Sequence, residues 1–216
     1  MPPDGAPRPS LWRDLKEGLA FVADSPCSLA ALWLAFLVNL TAFPLTGGLL
    51  PYVARDVYRG DETELGMLVA CFSFGSLLGS IAVSLAGRSL RPARMMILFA
   101  LGWYAALLLF VQMQNPISGR MTLVIAGIAQ SLSLVPMSVL LLHNAGERFR
   151  GRVMGVRMLA IYGVPIGLLA AGGLIDYLGF AVVASLYCLV GGALTLLIAL
   201  WWRADLWPIE APANMR

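Results

Sequence analysis

The chain has 216 residues, of which 59% are hydrophobic and 12% are charged, about half the charged share of a soluble domain. A soluble fold of this length could not bury so much apolar surface, so a membrane protein is expected. A β-barrel is disfavoured because the apolar residues run on without alternating with polar ones. The net charge of +3 comes from arginines spread over short segments, which does not make a nucleic-acid surface.

Residues 1–9 (MPPDGAPRP) are rich in proline and read as disordered. Residues 10–23 predict a short helix. Its residues Leu11, Leu15, Leu19 and Val22 share one face, opposite Arg13, Lys16 and Glu17, as in a helix lying on a membrane surface with Trp12 at headgroup level. The first 20 residues carry acids and bases and no apolar run, so no signal peptide is expected.

Six stretches without any charged residue follow, at 25–54, 65–87, 95–119, 121–146, 158–175 and 177–202. A bilayer core of about 30 Å needs about 20 apolar helical residues, so six crossings are predicted, the fifth being the shortest. The first stretch holds Pro44, Gly47, Gly48 and Pro51, and a kink or partly opened helix is predicted near Pro44. In the second, Gly75 and Gly79 lie four apart, as do Gly163 and Gly167 in the fifth. That spacing suits either close helix packing or faces that slide during a conformational cycle. The sixth closes on Trp201-Trp202-Arg203, an aromatic and basic interface anchor.

Of the 15 Lys and Arg, all but Arg55, Arg59 and Arg120 fall before the first stretch or in alternate gaps after it. By the positive-inside rule both termini are expected in the cytoplasm, with the spans in an inner, cytoplasmic membrane. The expected division is a cytoplasmic segment over 1–26, a six-helix transmembrane domain over 27–203 and a cytoplasmic tail over 204–216. Cys27, Cys71 and Cys188 all lie inside stretches without metal-ligand spacing and read as packing residues.

Two loops carry a resemblance. One reads Gly79-Ser-Ile-Ala-Val-Ser-Leu-Ala-Gly-Arg88-Ser-Leu-Arg91-Pro-Ala-Arg94, the other Glu147-Arg-Phe-Arg-Gly-Arg-Val-Met-Gly155. The first resembles the cytoplasmic loop signature of the major facilitator superfamily, Gly-x-Leu-Ala-Asp-Arg-x-Gly-Arg-Arg. Arg88 and Arg91 fit its basic positions, while its acid position is Gly87 and its second glycine position is Leu90. The second loop and the run Gly173–Gly179 are similar to the two ends of the eleventh helix in drug and siderophore exporters of that superfamily. Residues 11–21 are similar to the linker helix between the family's two halves. The resemblance runs from about residue 11 to 203 and is to the second half of a transporter. It implies an all-α bundle of six transmembrane helices, half of a 3+3 inverted-repeat architecture, and a partner: an N-terminal six-helix half or a second copy of this chain.

The same resemblance implies that the first, second, fourth and fifth spans line a central path. Candidate lining residues are then Asn39, Thr46, Ser73, Gln130, Ser131, Ser138 and Tyr162, with helix–helix hydrogen bonding as the equal alternative for each. Candidate cytoplasmic gate residues are Arg88, Arg91, Arg150, Arg152 and Arg157; Arg157 lies deepest and could also snorkel to the headgroups. No acid falls mid-membrane, so a coupling carboxylate is expected on a partner half. His143, the single histidine, reads as an interfacial hydrogen-bonder. An enzyme is disfavoured: no Gly-x-Ser-Gly or His-Glu-x-x-His sequence is present. No cofactor or metal is expected. The expected function is movement, by efflux, of a small amphipathic organic solute; the alternative is a scaffold or truncated half-domain that moves nothing without a partner half.

Overall fold

A computed structural model describes residues 11–86 and 91–207, all of them helical or in short connections. Arg8, Arg88 and Arg216, the proline-rich start and the end of the tail lie outside the described residues. Helix α1 (Leu11–Ala23) leads into α2 (Pro26–Thr41). Ser25 caps α2, its hydroxyl accepting from the Ser28 amide, and Pro26 sits at the first turn, where no donor is missed. The first span does not run straight. A wide π turn over Pro44–Gly48, the single turn α3 (Leu50–Tyr52) and a second π turn over Val53–Val57 complete it. Pro44 has no N–H for the carbonyl of Leu40 four residues back, so the predicted opening occurs there.

The remaining spans are α4 (Glu62–Ala86), α5 (Pro92–Gln112), α6 (Pro116–Leu159), α7 (Gly163–Leu178) and α8 (Phe180–Trp201), with one turn, α9 (Arg203–Leu206), closing the described chain. Asn115 caps α6, accepting from the Ile117 amide at 2.8 Å, with Pro116 at its first position. Gly146, at φ +58, is the one non-helical residue inside α6. It divides the fourth span from the fifth, which begins at Phe149 and continues through a 3-10 turn into α7.

Among the described residues, six segments are long and apolar enough to cross a membrane: Pro26–Val57, Glu62–Ala86, Pro92–Gln112, Pro116–Glu147, Phe149–Leu178 and Phe180–Trp201. The predicted stretches match these in order. The fifth, expected to be the shortest at 158–175, is 30 residues long, because Arg150, Arg152 and Arg157 ride on helical residues. Arginine interrupts an uncharged run without interrupting a helix.

The core lies among α2, α5, α6 and α8, where Leu34, Trp103, Leu107, Leu123 and Met137 are fully buried. Phe43 meets Trp103 edge to face at 5.3 Å. Thr41 donates to the Leu37 carbonyl at 2.8 Å and lies 2.7 Å from the Tyr104 hydroxyl. Threonine has one proton, so Tyr104 is the donor in that pair.

Helix α1 packs along the start of the fifth span. Phe21 stacks on Phe149 at 5.0 Å, Glu17 pairs with Arg152 at 2.8 Å, and Gly18 and Val22 are buried. Leu19 is exposed, while Val22 of the same apolar face is buried. The docked stripe passes through Gly18, which lets α1 approach the Arg152 carbonyl.

Candidate functional site

Glycines set how closely the helices approach, and so what space is left between them. A methyl group at Gly75 or Gly79 of α4 would collide with the carbonyl of Val124 or Ile128 on α6, and one at Gly127 with backbone of α4. The helices touch backbone to backbone, as close packing at that spacing requires. Hydrogen bonds complete the seam. Ser76 Oγ donates to Gln130 Oε1 at 2.9 Å, Ser131 Oγ donates to the Ser76 carbonyl at 2.7 Å, and Ser80 Oγ reaches Ser131 Oγ at 3.3 Å. Gln130 and Ser131 are therefore buried in a helix–helix contact, a role the sequence left equal with lining.

The other candidates are dispersed. Ser138 donates to the Leu134 carbonyl of its own helix at 2.7 Å. Thr46 is buried in the π turn, and its hydroxyl has no hydrogen-bond partner. Ser73 and Tyr162 lie on exposed faces of the second and fifth spans. Of the gate residues, Arg91 and Arg150 are exposed, Arg152 pairs with Glu17 and lies over the Phe149 ring, and Arg88 lies outside the described residues.

Two of the predicted residues share one cavity. Asn39 and Arg157 line a cleft of about 170 Å³ between α2, α6 and the fifth span, with Phe43, Leu134, Met158 and Ile161. Asn39 lies about 20 Å along α2 from Pro26, and Arg157 about 12 Å beyond Phe149, at 1.5 Å per residue. Asn39 donates to the Ala35 carbonyl at 2.8 Å, which leaves its amide oxygen free to accept. Arg157 is half-buried, and among the described residues no carboxylate pairs with it. The cleft presents one cation, one amide and apolar walls including Met and Phe. Its volume is below the 300–1,000 Å³ usual for a complete small-molecule site.

At the opposite end of the bundle Glu64 of α4 and Arg120 of α6 form a bidentate pair. Arg120 Nε donates to Oε1 at 3.1 Å, and the second arm meets Oε2. Tyr58 packs beside them against Gly119, and burial and the Glu64 charge push its phenol above the ordinary value. Neither Glu64 nor Arg120 is among the residues the sequence singled out as a site. The available signal was that opposite charges bound neighbouring uncharged runs.

The family model of the Major Facilitator Superfamily matches residues 32–214. The chain belongs to that superfamily. Its curated relatives within the superfamily include the Enterobactin exporter EntS of Escherichia coli O1:K1 / APEC, 27% identical over 175 residues. The protein of the same name from Shigella boydii serotype 18 (strain CDC 3083-94 / BS512) is 28% identical over the same length. Each match covers 81% of this chain and 41% of the relative, so the chain spans about two fifths of the length of these superfamily relatives. No solved structure matches the chain significantly. The membership agrees with the all-α, six-span bundle described above.

Proposed function

We propose that this chain is one half of a membrane transporter that moves a small amphipathic organic solute out of the cell by alternating access. Both termini are on the cytoplasmic side in this reading, because the arginine-rich ends of the spans retain the positive charge. The observation that carries the reading is the Asn39–Arg157 cleft. A guanidinium held within a membrane span without an acid partner is costly unless something else interacts with it. A solute bearing an acidic or hydrogen-bond-accepting group, and an apolar body for Phe43 and Met158, would do so. The exporter relatives support the direction of transport.

Met158 and Ile161 on the cleft wall are exposed. In the most apolar window of each span, only 17% of residues in the second and 22% in the fifth are buried, against 61% in the first. A second six-helix half, or a second copy of this chain, covers these faces in the proposed transporter and completes the cleft. No covalent chemistry is part of this reading.

The test is accumulation of a fluorescent amphipathic anion by everted vesicles that contain the chain together with its partner half. Arg157→Gln is expected to lower accumulation about tenfold or more, the worth of one hydrogen bond to a charged group, and Arg157→Lys to retain part of it. Vesicles that accumulate nothing although both halves are present would favour the scaffold reading.

A further inference from the structure

A second cavity lies on the other side of the bundle, between the outer faces of α5 and α8. It has a volume of about 810 Å³ and is bounded at one end by Arg94, Arg203 and Trp207, within the size range of sites that hold drug-sized molecules. From this rim the groove runs along the helices past Leu98 and Leu101 on one side and Leu196 and Leu200 on the other. Arg94 to Leu101 on α5, and Leu196 to Arg203 on the antiparallel chain, each cover about 10 Å of helix axis. Leu98, Leu196 and Leu200 are exposed, so the groove opens sideways into the membrane.

The arrangement is polar at one end only. α5 starts and α8 ends at this rim, so their dipoles oppose and the positive potential there comes from the two guanidiniums. Guanidinium forks match phosphate oxygens, and an indole at the rim suits the headgroup level. Below it the walls offer only hydrocarbon.

We propose that this groove is a binding site for an anionic phospholipid, with the phosphate between Arg94 and Arg203 and one acyl chain along Leu98, Leu101, Leu196 and Leu200. Basic rims over apolar grooves between transmembrane helices recognise such headgroups by charge. The site lies on the α5–α8 face, apart from the Asn39–Arg157 cleft, and does not depend on the transport reading.

Native mass spectrometry of the detergent-purified protein tests it, with phosphatidylglycerol and phosphatidylcholine of identical chains as probes. Phosphatidylglycerol is expected to be retained about tenfold better. The double variant Arg94→Gln/Arg203→Gln should bring the two lipids to parity. Leu98→Trp, at an exposed position, should fill the groove and remove lipid retention with both arginines intact, which keeps the test open if the double variant folds poorly. Millimolar inorganic phosphate should not displace the lipid, because the acyl chain contributes to binding. Equal retention of both lipids, retention unchanged by Leu98→Trp, or displacement by inorganic phosphate would overturn the proposal.

Discussion

Tyr104 and Thr41 show how one proton fixes a pair. Thr41 spends its hydrogen on the Leu37 carbonyl, so Tyr104 must donate across to it. Tyr104→Phe therefore leaves Thr41 with its own helix bond and removes only the interhelical one. The expected loss is about 0.6 kcal/mol and at most about 2 kcal/mol, read from a denaturation midpoint in detergent. Thr41→Val strands the buried Tyr104 hydroxyl and should cost more. At the far end of the bundle, Glu64→Gln should lower the melting temperature, because Arg120 then loses its carboxylate, while Arg120→Lys should retain part of the stability. A melting temperature unchanged by Glu64→Gln would show that the pair contributes nothing.

Among the helices, the decisive contacts are those made without side chains. Gly75 and Gly66 lie on the same helix, yet a methyl at Gly75 meets the Val124 carbonyl and one at Gly66 meets nothing. Gly75→Ala should therefore destabilise the α4–α6 seam by about 1–3 kcal/mol, as overpacking does. Gly66→Ala should be neutral or gain up to about 1 kcal/mol from helix propensity. Comparing the two in one unfolding assay separates packing from propensity. The spacing of Gly75 and Gly79 was legible in the sequence, and so was the opening at Pro44. Their partners were not, because a periodicity of four marks a face without saying which helix meets it. The same limit explains the site. Gln130 and Ser131, for which lining and helix–helix bonding were equally open in the sequence, are bonded across the seam to Ser76, one residue past Gly75. Arg157 and Asn39 are far apart in sequence, and only the packing of the fifth span on α2 brings them to one cleft.

For the bundle as a whole, the uncharged runs foretold the number and order of spans, since charge is what a bilayer excludes most strongly. They could not foretell which spans stay uncovered, because lipid-facing and partner-facing surfaces are equally apolar. The proposed partner half makes a direct prediction here. Cysteine placed at Ser73 or Tyr162, both exposed in this chain, should react with a membrane-permeant maleimide when the chain is expressed alone and be protected when the partner half is present. Equal labelling in both states would remove these faces from the interface. In the proposed transporter, neutralising Arg88 and Arg91 together should slow the switch between inward and outward states while sparing solute binding, measured by ligand quenching alongside accumulation. Lost binding with intact switching would show that these arginines belong elsewhere in the cycle.

Between the fourth and fifth spans the helical backbone breaks only at Gly146, with helix on either side and a positive φ there that L side chains rarely adopt. A joint one residue long stores no slack. Any swing of the fifth span relative to the fourth must be taken up as torsion at that residue, and α1, stacked through Phe21 on Phe149, must ride with it. Helix α1 would then work as a lever arm whose angle follows the fifth span's orientation.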